Sequence, residues 1–265
     1  MAAPGKVHGL DADAPLRVAA ERLLLARLAD VRAAGARAAR RLDPRTVHDL
    51  RVACRRLRAA VKVFGKKRLR KLDARIAHLQ DALGALRDLQ LKARWLARHR
   101  RDAGGVRTSQ RKAEAHVRST LALWTRRSEP LLLRALPHLR GGGTLGGKRP
   151  RRRLRKRLRD VDEALSQRRP LDPAAAHHVR IAVKKLRYEA ELLRDAFDLD
   201  ELLKVLSDLQ DTLGELHDSD VRLREFAADR SLARVARAER SRKAARARRT
   251  LRRFRTTFGS SLRRL

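Results

Sequence analysis

The feature that most constrains the fold of this chain is that much of its sequence occurs twice. The segment "VHDLRVACRRLR" at 47–58 returns as "HHVRIAVKKLR" at 177–187. The block "LQDALGALRD" at 79–88 returns as "LQDTLGELHD" at 209–218, so the second copy follows the first by 129 or 130 residues. An internal repeat of this length predicts two copies of one supersecondary design.

Both copies have the composition and periodicity of helices. Ala, Leu, Arg and acidic residues dominate, aromatic residues make up only 3%, and no alternating apolar pattern bounded by turn residues indicates a strand. The segment "LDP" occurs in each copy, where Asp43 and Asp172 can cap a helix that begins with proline. We expect an all-α fold with four helices per copy. They are predicted near 15–41, 44–64, 69–101 and 108–136, and near 150–169, 173–196, 199–228 and 231–262.

The glycine run "GGGTLGGK" at 141–148 lies between the copies and is typical of a linker. We therefore expect one domain over 10–265, made of a first bundle at 10–140 and a second at 149–265. Trp124 and Phe254 stand 130 residues apart and are interpreted as matching core residues.

The charge balance predicts a polyanionic partner. The chain has 67 Lys and Arg against 30 Asp and Glu, a formal net charge of +37. A compact domain with this charge repels itself, which favours binding to nucleic acid, an anionic membrane or a phosphate polymer. A general compositional bias toward Arg and Ala could account for part of the excess.

Other features of the sequence predict a cytoplasmic protein without membrane insertion. Cys54 is the single cysteine, which excludes an intramolecular disulfide and fits a reducing compartment. The beginning of the sequence has no apolar segment typical of a signal peptide, and no apolar run reaches the roughly 18 residues that span a bilayer.

One side of the helix predicted at 44–64 gathers a histidine and four cations. At 100° per residue they fall within an arc of about 80°, directly beside an apolar stripe. We call this set the first cationic face: His48, Arg51, Arg55, Arg58 and Lys62. The second cationic face repeats it with His177, Arg180, Lys184 and Arg187, while Glu191 stands where the first copy has Lys62.

The repetition of these faces favours an anion-binding surface over an ordinary solvated helix surface, which is the alternative. A solvated surface usually mixes both signs of charge, because opposite charges three or four residues apart stabilise a helix. Here each face is cationic over about ten residues, and like charges on neighbouring turns cost stability.

His48 and His177 could be core residues, capping groups or metal ligands. No further ligand follows at a zinc-site spacing, and adjacent His177 and His178 cannot both face one metal from a helix. The chain also lacks the motifs of zinc proteases, serine hydrolases and P-loop enzymes. We interpret each as a helix-start histidine that donates a hydrogen bond to phosphate or to a neighbouring helix, in a contact tunable by pH. No metal, cofactor or catalytic residue is expected.

The second repeated block is interpreted as support for the cationic faces. Its aspartates lie seven residues apart, on one side of a helix, where they can orient arginines toward a ligand; a metal-binding carboxylate pair is the alternative. These residues are Asp81, Asp88, Asp211 and Asp218. Gly84 and Gly214 cost about 1 kcal/mol relative to alanine inside a helix, so their repetition predicts a close helix crossing.

These motifs resemble those of the CHAD domain, the conserved-histidine α-helical domain. The resemblance rests on "VHDLRVACRRLR" and "LGALRDLQL" in the first copy and on "HHVRIAVKKLRYEAELL" and "LQDTLGELHDSDV" in the second. It covers the chain from about residue 15 onward. It implies two four-helix bundles related by a pseudo-twofold axis and a basic central surface that binds inorganic polyphosphate without catalysis.

The resemblance also implies roles for individual residues. The basic positions of the family correspond to His48, Arg51, Arg55, Arg56, Arg58, His177, Arg180, Lys184, Lys185 and Arg187. Asp88 and Asp218 match its aspartate, and Tyr188 and Glu191 fit its second-half pattern. One departure is His217, where the first copy has Arg87. Another is the lack of a CYTH-type triphosphate-processing region, which argues against polyphosphate hydrolysis.

The leading hypothesis is non-catalytic binding of inorganic polyphosphate in a basic groove lined by the two motif helices, with association with polyphosphate granules as a further expectation. The alternative is non-specific binding to a DNA or RNA backbone, for which "KRPRRRLRKRLR" at 148–159 is suited. Single-strand binders usually offer aromatic platforms, which are scarce here. An enzyme of phosphate chemistry would need a metal held by acidic ligands or a nucleophile, and only the repeated aspartates are candidates.

Overall fold

The fold is all-α, as predicted. A computed structural model describes residues 7, 9–65, 69–139, 141–167 and 171–261, except for the side chains of 257 and 259–261. Every regular element in those ranges is a helix or a helical turn. The chain divides into two compact units, Met1–Leu10 with Ala14–Gly142 and Asp11–Asp13 with Gly143–Leu265. The pseudo-twofold relation between the halves stays a prediction.

Within its described residues, the first unit contains five α-helices, and the first four pack consecutively, α1 on α2, α2 on α3 and α3 on α4. The helices are α1 (Leu16–Arg40), α2 (Pro44–Phe64), α3 (Arg70–Arg98), α4 (Gly104–Leu123) and α5 (Glu129–Ala135). The apolar stripe predicted for α2 forms part of the core: Val47, Leu50, Cys54, Leu57 and Val61 are all at most 1% exposed. Burial raises the pKa of the Cys54 thiol to about 12, so this residue is an inert core group.

The helix predicted at 108–136 is interrupted in the structure. It begins earlier, at Gly104, and a π-helical turn at Trp124–Ser128 separates α4 from α5. The backbone N–H of Glu129 donates to the carbonyl of Trp124, five residues back. Pro130 explains the break, because proline has no N–H to donate and its ring clashes with the preceding turn of a regular helix.

The second unit contains four long helices, again packed consecutively. They are α6 (Lys148–Leu165), α7 (Pro173–Phe197), α8 (Asp200–Glu225) and α9 (Arg230–Ser261). Val179, Val183 and Leu186 of α7 are completely buried, as their repeat positions predict. Phe254 of α9 is 4% exposed and Trp124 in the first unit is 3% exposed, so both occupy core positions. Within the described residues, no helix combines the length and apolar character needed to cross a bilayer.

The "LDP" signal starts a helix in both units but forms a side-chain cap in only one. In α2, a carboxylate oxygen of Asp43 accepts hydrogen bonds from the backbone N–H groups of Arg45 and Thr46, each at 2.9 Å. Asp172 occupies the N-cap position of α7, but its side chain makes no capping hydrogen bond. The prediction of a cap is confirmed for Asp43 and wrong for Asp172.

The close helix crossing predicted at the repeated glycines is wrong. A Cβ atom placed on Gly84 of α3 or on Gly214 of α8 would meet no atom within 4 Å. Neighbouring helices therefore do not require glycine at either position. One turn after the glycine, each helix carries a basic residue: Arg87 on α3 and His217 on α8.

Candidate anion-binding faces

The first cationic face of α2 extends onto α3. His48, Arg51 and Arg55 are half-buried, and Arg87 of α3 donates a hydrogen bond to the carbonyl of Pro44 at 3.2 Å, which fixes it beside the start of α2. Burial lowers the pKa of His48 and the charge of Arg87 lowers it further, while the charge of Asp49 opposes this and those of Arg51 and Arg55 add smaller decreases. The histidine is therefore neutral at neutral pH and lies within a positive potential.

The far end of the first cationic face is neutralised by α3. Arg58 donates from Nε to Oδ1 of Asp73 at 2.7 Å and from Nη1 to Oε1 of Gln80 at 3.1 Å. The Lys62 ammonium lies 3.8 Å from the other carboxylate oxygen of Asp73. The part of this face around His48 is not included in these contacts with Asp73 and Gln80.

In the second unit, α7 and α8 form the corresponding site. His177, Arg180 and Lys184 are half-buried on α7, and the ring of His217 on α8 lies 5.4 Å from the ring of His177, centroid to centroid. Burial lowers the pKa of His177, with a further contribution from Arg180. Burial and the charge of Arg180 lower the pKa of His217 to about 4.

Two arginines predicted to bind the ligand are buried: Arg187, which the periodicity placed on the second cationic face, and Arg56, which only the family resemblance suggested. Arg187 is 5% exposed, pairs with Glu191 at 3.0 Å and stacks over the ring of Tyr188 at 5.5 Å. Arg56 is 6% exposed, because α2 packs against both α1 and α3 and few of its sides remain accessible. Lys185, which matches Arg56 in the repeat, is exposed.

An aspartate outside the predicted set holds one arginine of the first cationic face. Asp81 and Asp88 are exposed on α3, and Asp73 pairs with Arg58 at 2.7 Å. Because its side chain is one turn from the start of α3, it reaches the end of α2, where Arg58 lies. The alternative of a metal-binding carboxylate pair finds no support within the described residues, where no three His, Cys, Asp or Glu side chains form a possible metal site.

The aspartates of the second block also differ from one another. Desolvation raises the pKa of Asp211, and the charge of Arg187 opposes this rise. The charges of Asp211 and Arg187 therefore influence each other, and the orienting role of Asp211 stays a prediction. Asp218 is half-buried, and its charge acts on Lys243 of α9.

Three site residues were not among the predicted ligands: Arg87, His217 and Arg224. The charge of Arg224, on the last turn of α8, lowers the pKa of both His177 and His217. The signal for the first two was present in the sequence, since Arg87 and His217 occupy matching positions in the repeated block. Both can carry a positive charge, and each follows the repeated glycine of its helix, Gly84 or Gly214, by three residues.

A separate cavity of about 650 Å³ lies between α1 and α4 at the π-helical turn. Its lining is mostly apolar, with Gly35, Leu121 and Trp124 among its residues. Arg32, which also lines it, is paired with Glu129 at 2.8 Å. This cavity does not involve the cationic faces.

The two cationic faces can bind anions through several side chains at once. Arginine supplies paired N–H donors that match two oxygens of a phosphate, and lysine adds a point charge. The neutral histidines supply an N–H donor without adding to the repulsion among the cations.

Comparison with known proteins identifies the family. A family model described as the CHAD domain matches residues 22–228. The crystal structure of the CHAD domain from the plant Ricinus communis is similar, with a TM-score of 0.67 and 27% identity over 92% of this chain and 91% of that one. PptA from Streptomyces chartreusis has a similar fold, with a TM-score of 0.65 and 15% identity over 90% of this chain and 100% of that one. No curated protein matches. This chain belongs to the CHAD domain family.

Proposed function

We propose that this protein binds inorganic polyphosphate without catalysing a reaction, through the two cationic faces on α2–α3 and α7–α8. Family membership supports polyphosphate as the polyanion, because the resemblance of the repeated motifs to CHAD domains implies this ligand. The structure supports the choice of surface, because each unit gathers cations from two helices around a histidine.

The observation that carries the proposal is that each unit places a half-buried histidine beside cations from two helices. Arg87 of α3 is hydrogen-bonded to the carbonyl of Pro44 at the start of α2, and His217 of α8 lies 5.4 Å from His177 of α7, ring centroid to ring centroid. Burial is the largest cause of the lowered pKa of His48 and His217, and the neighbouring cations lower it further. The cations gathered there create a positive local potential. Such a potential is costly in the free protein and is relieved by a bound anion.

A linear phosphate polymer suits these faces better than a small anion does. Each face presents cations on successive turns of a helix, and a polymer can contact several of them while releasing its counterions. By the reasoning established for nucleic acids, the affinity should then fall steeply as salt concentration rises. Binding at granules in which polyphosphate accumulates is part of this proposal.

We further propose that the protein has no catalytic activity toward the polymer. Phosphoryl transfer requires a nucleophile or a group that stabilises the transferring phosphoryl. Cys54, the one thiol, is buried with its pKa raised to about 12, so it is not a nucleophile. Release of orthophosphate from polyphosphate by the purified protein, with or without magnesium, would contradict this part of the proposal.

The proposal is tested by removing two cations from each face and measuring polyphosphate binding over a salt series. The variant carries Arg51→Ala, Arg55→Ala, Arg180→Ala and Lys184→Ala. A control with the same loss of charge carries Arg107→Ala, Arg111→Ala, Arg234→Ala and Arg237→Ala, all at exposed positions on the last long helix of each unit. Helical circular dichroism confirms that both variants fold.

We expect the face variant to lose at least about 100-fold in affinity and to show a shallower salt dependence, because four phosphate contacts are removed. The control should lose only a few-fold from the reduced net charge. Equal losses in the two variants would place binding outside the faces. Competition by duplex DNA at matched phosphate concentration measures preference, and tighter binding of DNA than of polyphosphate would favour the nucleic-acid alternative.

A further inference from the structure

The second cationic face contains two histidines in contact, where the first contains one. The rings of His177 on α7 and His217 on α8 lie 5.4 Å apart, and His178 lies 6.3 Å from His177. In the first unit, the position that matches His217 holds Arg87, whose charge is permanent. The two faces therefore differ in how many of their positive charges depend on pH.

After burial, the largest influences on the pKa of the two histidines are neighbouring cations and histidines. They come from α7 as Arg180, Lys184 and His178, and from α8 as Arg224. Two carboxylates close to the pair in sequence form ion pairs with α9: Asp220 with Arg240 and Glu215 with Arg246. Asp218, next to His217, is half-buried.

The other helices of this unit pair their charges away from the histidines. On α6, Arg153 and Arg157 both contact Glu189 of α7. On α9, Lys243 lies 3.7 Å from Glu239. The main charges acting on His177 and His217 are therefore cations of α7 and α8. A bound anion would supply the opposite charge beside the two histidines.

We propose that phosphate binding at the second cationic face is coupled to proton uptake by His177 and His217, so that this face binds polyphosphate more tightly as pH falls. The inference rests on the function proposed above and adds a mechanism of regulation to it. In the free protein, two adjacent imidazoles beside three cations stay neutral. A bound phosphate chain offsets the cations, the imidazoles become protonated, and each then donates charge-assisted hydrogen bonds to phosphate oxygens.

The test measures proton uptake during binding to the full-length chain. Isothermal titration with long-chain polyphosphate, in buffers of different ionisation enthalpy between pH 8 and 6, gives the number of protons taken up. Long chains are used because their internal phosphates stay ionised throughout this range, so the protons detected are taken up by the protein. Three variants are compared with the parent: His217→Gln, His217→Arg and Arg87→His.

For the parent, we expect uptake of about one proton or more per bound second face, with affinity rising about tenfold or more from pH 8 to 6. His217→Gln should bind like the parent at pH 8 and lose most of the gain at pH 6. His217→Arg should bind more tightly than the parent at pH 8 with about one proton less taken up. Arg87→His should do the reverse and make binding more dependent on pH.

Two outcomes separate failure of this inference from failure of the proposed function. If polyphosphate binds well and His217→Gln leaves proton uptake unchanged, the histidine pair is not the coupled group and the inference is wrong. If the parent does not bind polyphosphate at any pH in this range, the proposed function itself fails. A folded His217→Arg variant with the parent's pH dependence would also overturn the inference.

Discussion

The cationic faces of the two units are alike around His48 and His177 and differ in the contacts made by the arginine at their far ends. In the first unit, Arg58 at the far end of the face reaches across to Asp73 of α3. In the second, the matching Arg187 is buried and pairs with Glu191 on its own helix. The residues around the first histidine, by contrast, are similarly placed in both. Duplication has kept the positive potential while the contacts that surround it have diverged.

The interiors of the units diverge in the same way. Glu189 of α7 is 5% exposed and accepts hydrogen bonds from Arg153 and Arg157 of α6, at 2.8 to 2.9 Å. The matching position on α2 is Ala60, which is completely buried. One unit thus joins its helices partly through a buried ion cluster, and the other fills the same position on its motif helix with a methyl group.

The largest expected effect tests this difference in the interiors. We expect Glu189→Ala, which makes the second unit like the first at this position, to lower the free energy of unfolding by about 3 kcal/mol, since two partly buried guanidiniums lose their partner. Urea unfolding followed by circular dichroism measures the loss. Replacing the whole cluster, with Arg153→Leu and Arg157→Leu added to Glu189→Ala, should recover most of it, because a well-packed apolar set often replaces a buried ion cluster without loss.

These variants also test whether the ion cluster stabilises the fold or contributes to polyphosphate binding by the second cationic face. Arg153 and Arg157 lie on α6, so we expect polyphosphate affinity of the folded triple variant to stay within a few-fold of the parent. If Glu189→Ala is as stable as the parent, the cluster contributes nothing and the interiors of the two units are equivalent after all.

The repeated sequence was sufficient to predict the helices, because each copy repeats the same apolar periodicity and the same "LDP" start. The apolar stripe of α2 lies in the core, on the side of the helix that the helical periodicity predicts. The break at Trp124–Ser128 was missed, although Pro130 indicated it. A helical wheel shows which side of a helix a residue occupies, but it does not show which neighbouring helix covers that side.

This limitation applies to the cationic faces. The wheel groups Arg58 and Arg187 with the ligand-facing cations, but Asp73 comes from another helix and the burial of Arg187 depends on packing. The glycines could be identified as unusual, but only the structure shows that nothing packs against them. Arg87 and His217 lie about 40 residues from the histidines they join, a contact that one helix's periodicity cannot indicate.

The second prediction concerns the pH dependence of stability that His217 confers and that Arg87, at the matching position, does not. The ordinary pKa of histidine is 6.5, and in the folded chain that of His217 is lowered to about 4. Between these values the unfolded chain binds a proton that the folded chain does not, so stability is complete above about pH 6.5 and is lost as pH falls. From pH 7.5 to 5, the parent should lose about 2 kcal/mol more of its unfolding free energy than His217→Gln does.

Measurement of unfolding free energy at a series of pH values gives this difference directly. Protonation of carboxylates affects the parent and His217→Gln alike, so the difference between their unfolding free energies isolates the contribution of the histidine. Identical pH profiles would mean that His217 titrates normally, so that neither burial nor the neighbouring cations penalise its protonation. Added polyphosphate should reduce the difference, because the bound anion removes the penalty for protonation.

The smallest expected effect concerns the two helix starts, which have the same sequence signal but different contacts. The carboxylate of Asp43 accepts two backbone hydrogen bonds, and the bond from Thr46 is the main cause of the lowered pKa of this group. Asp172 makes no such bond. Asp43→Ala should therefore lower the thermal midpoint by about 3 °C, and Asp172→Ala by about 1 °C or less. Equal shifts in the two melting curves would show that the caps are equivalent in solution, and that the units differ only in their charged clusters and in His217.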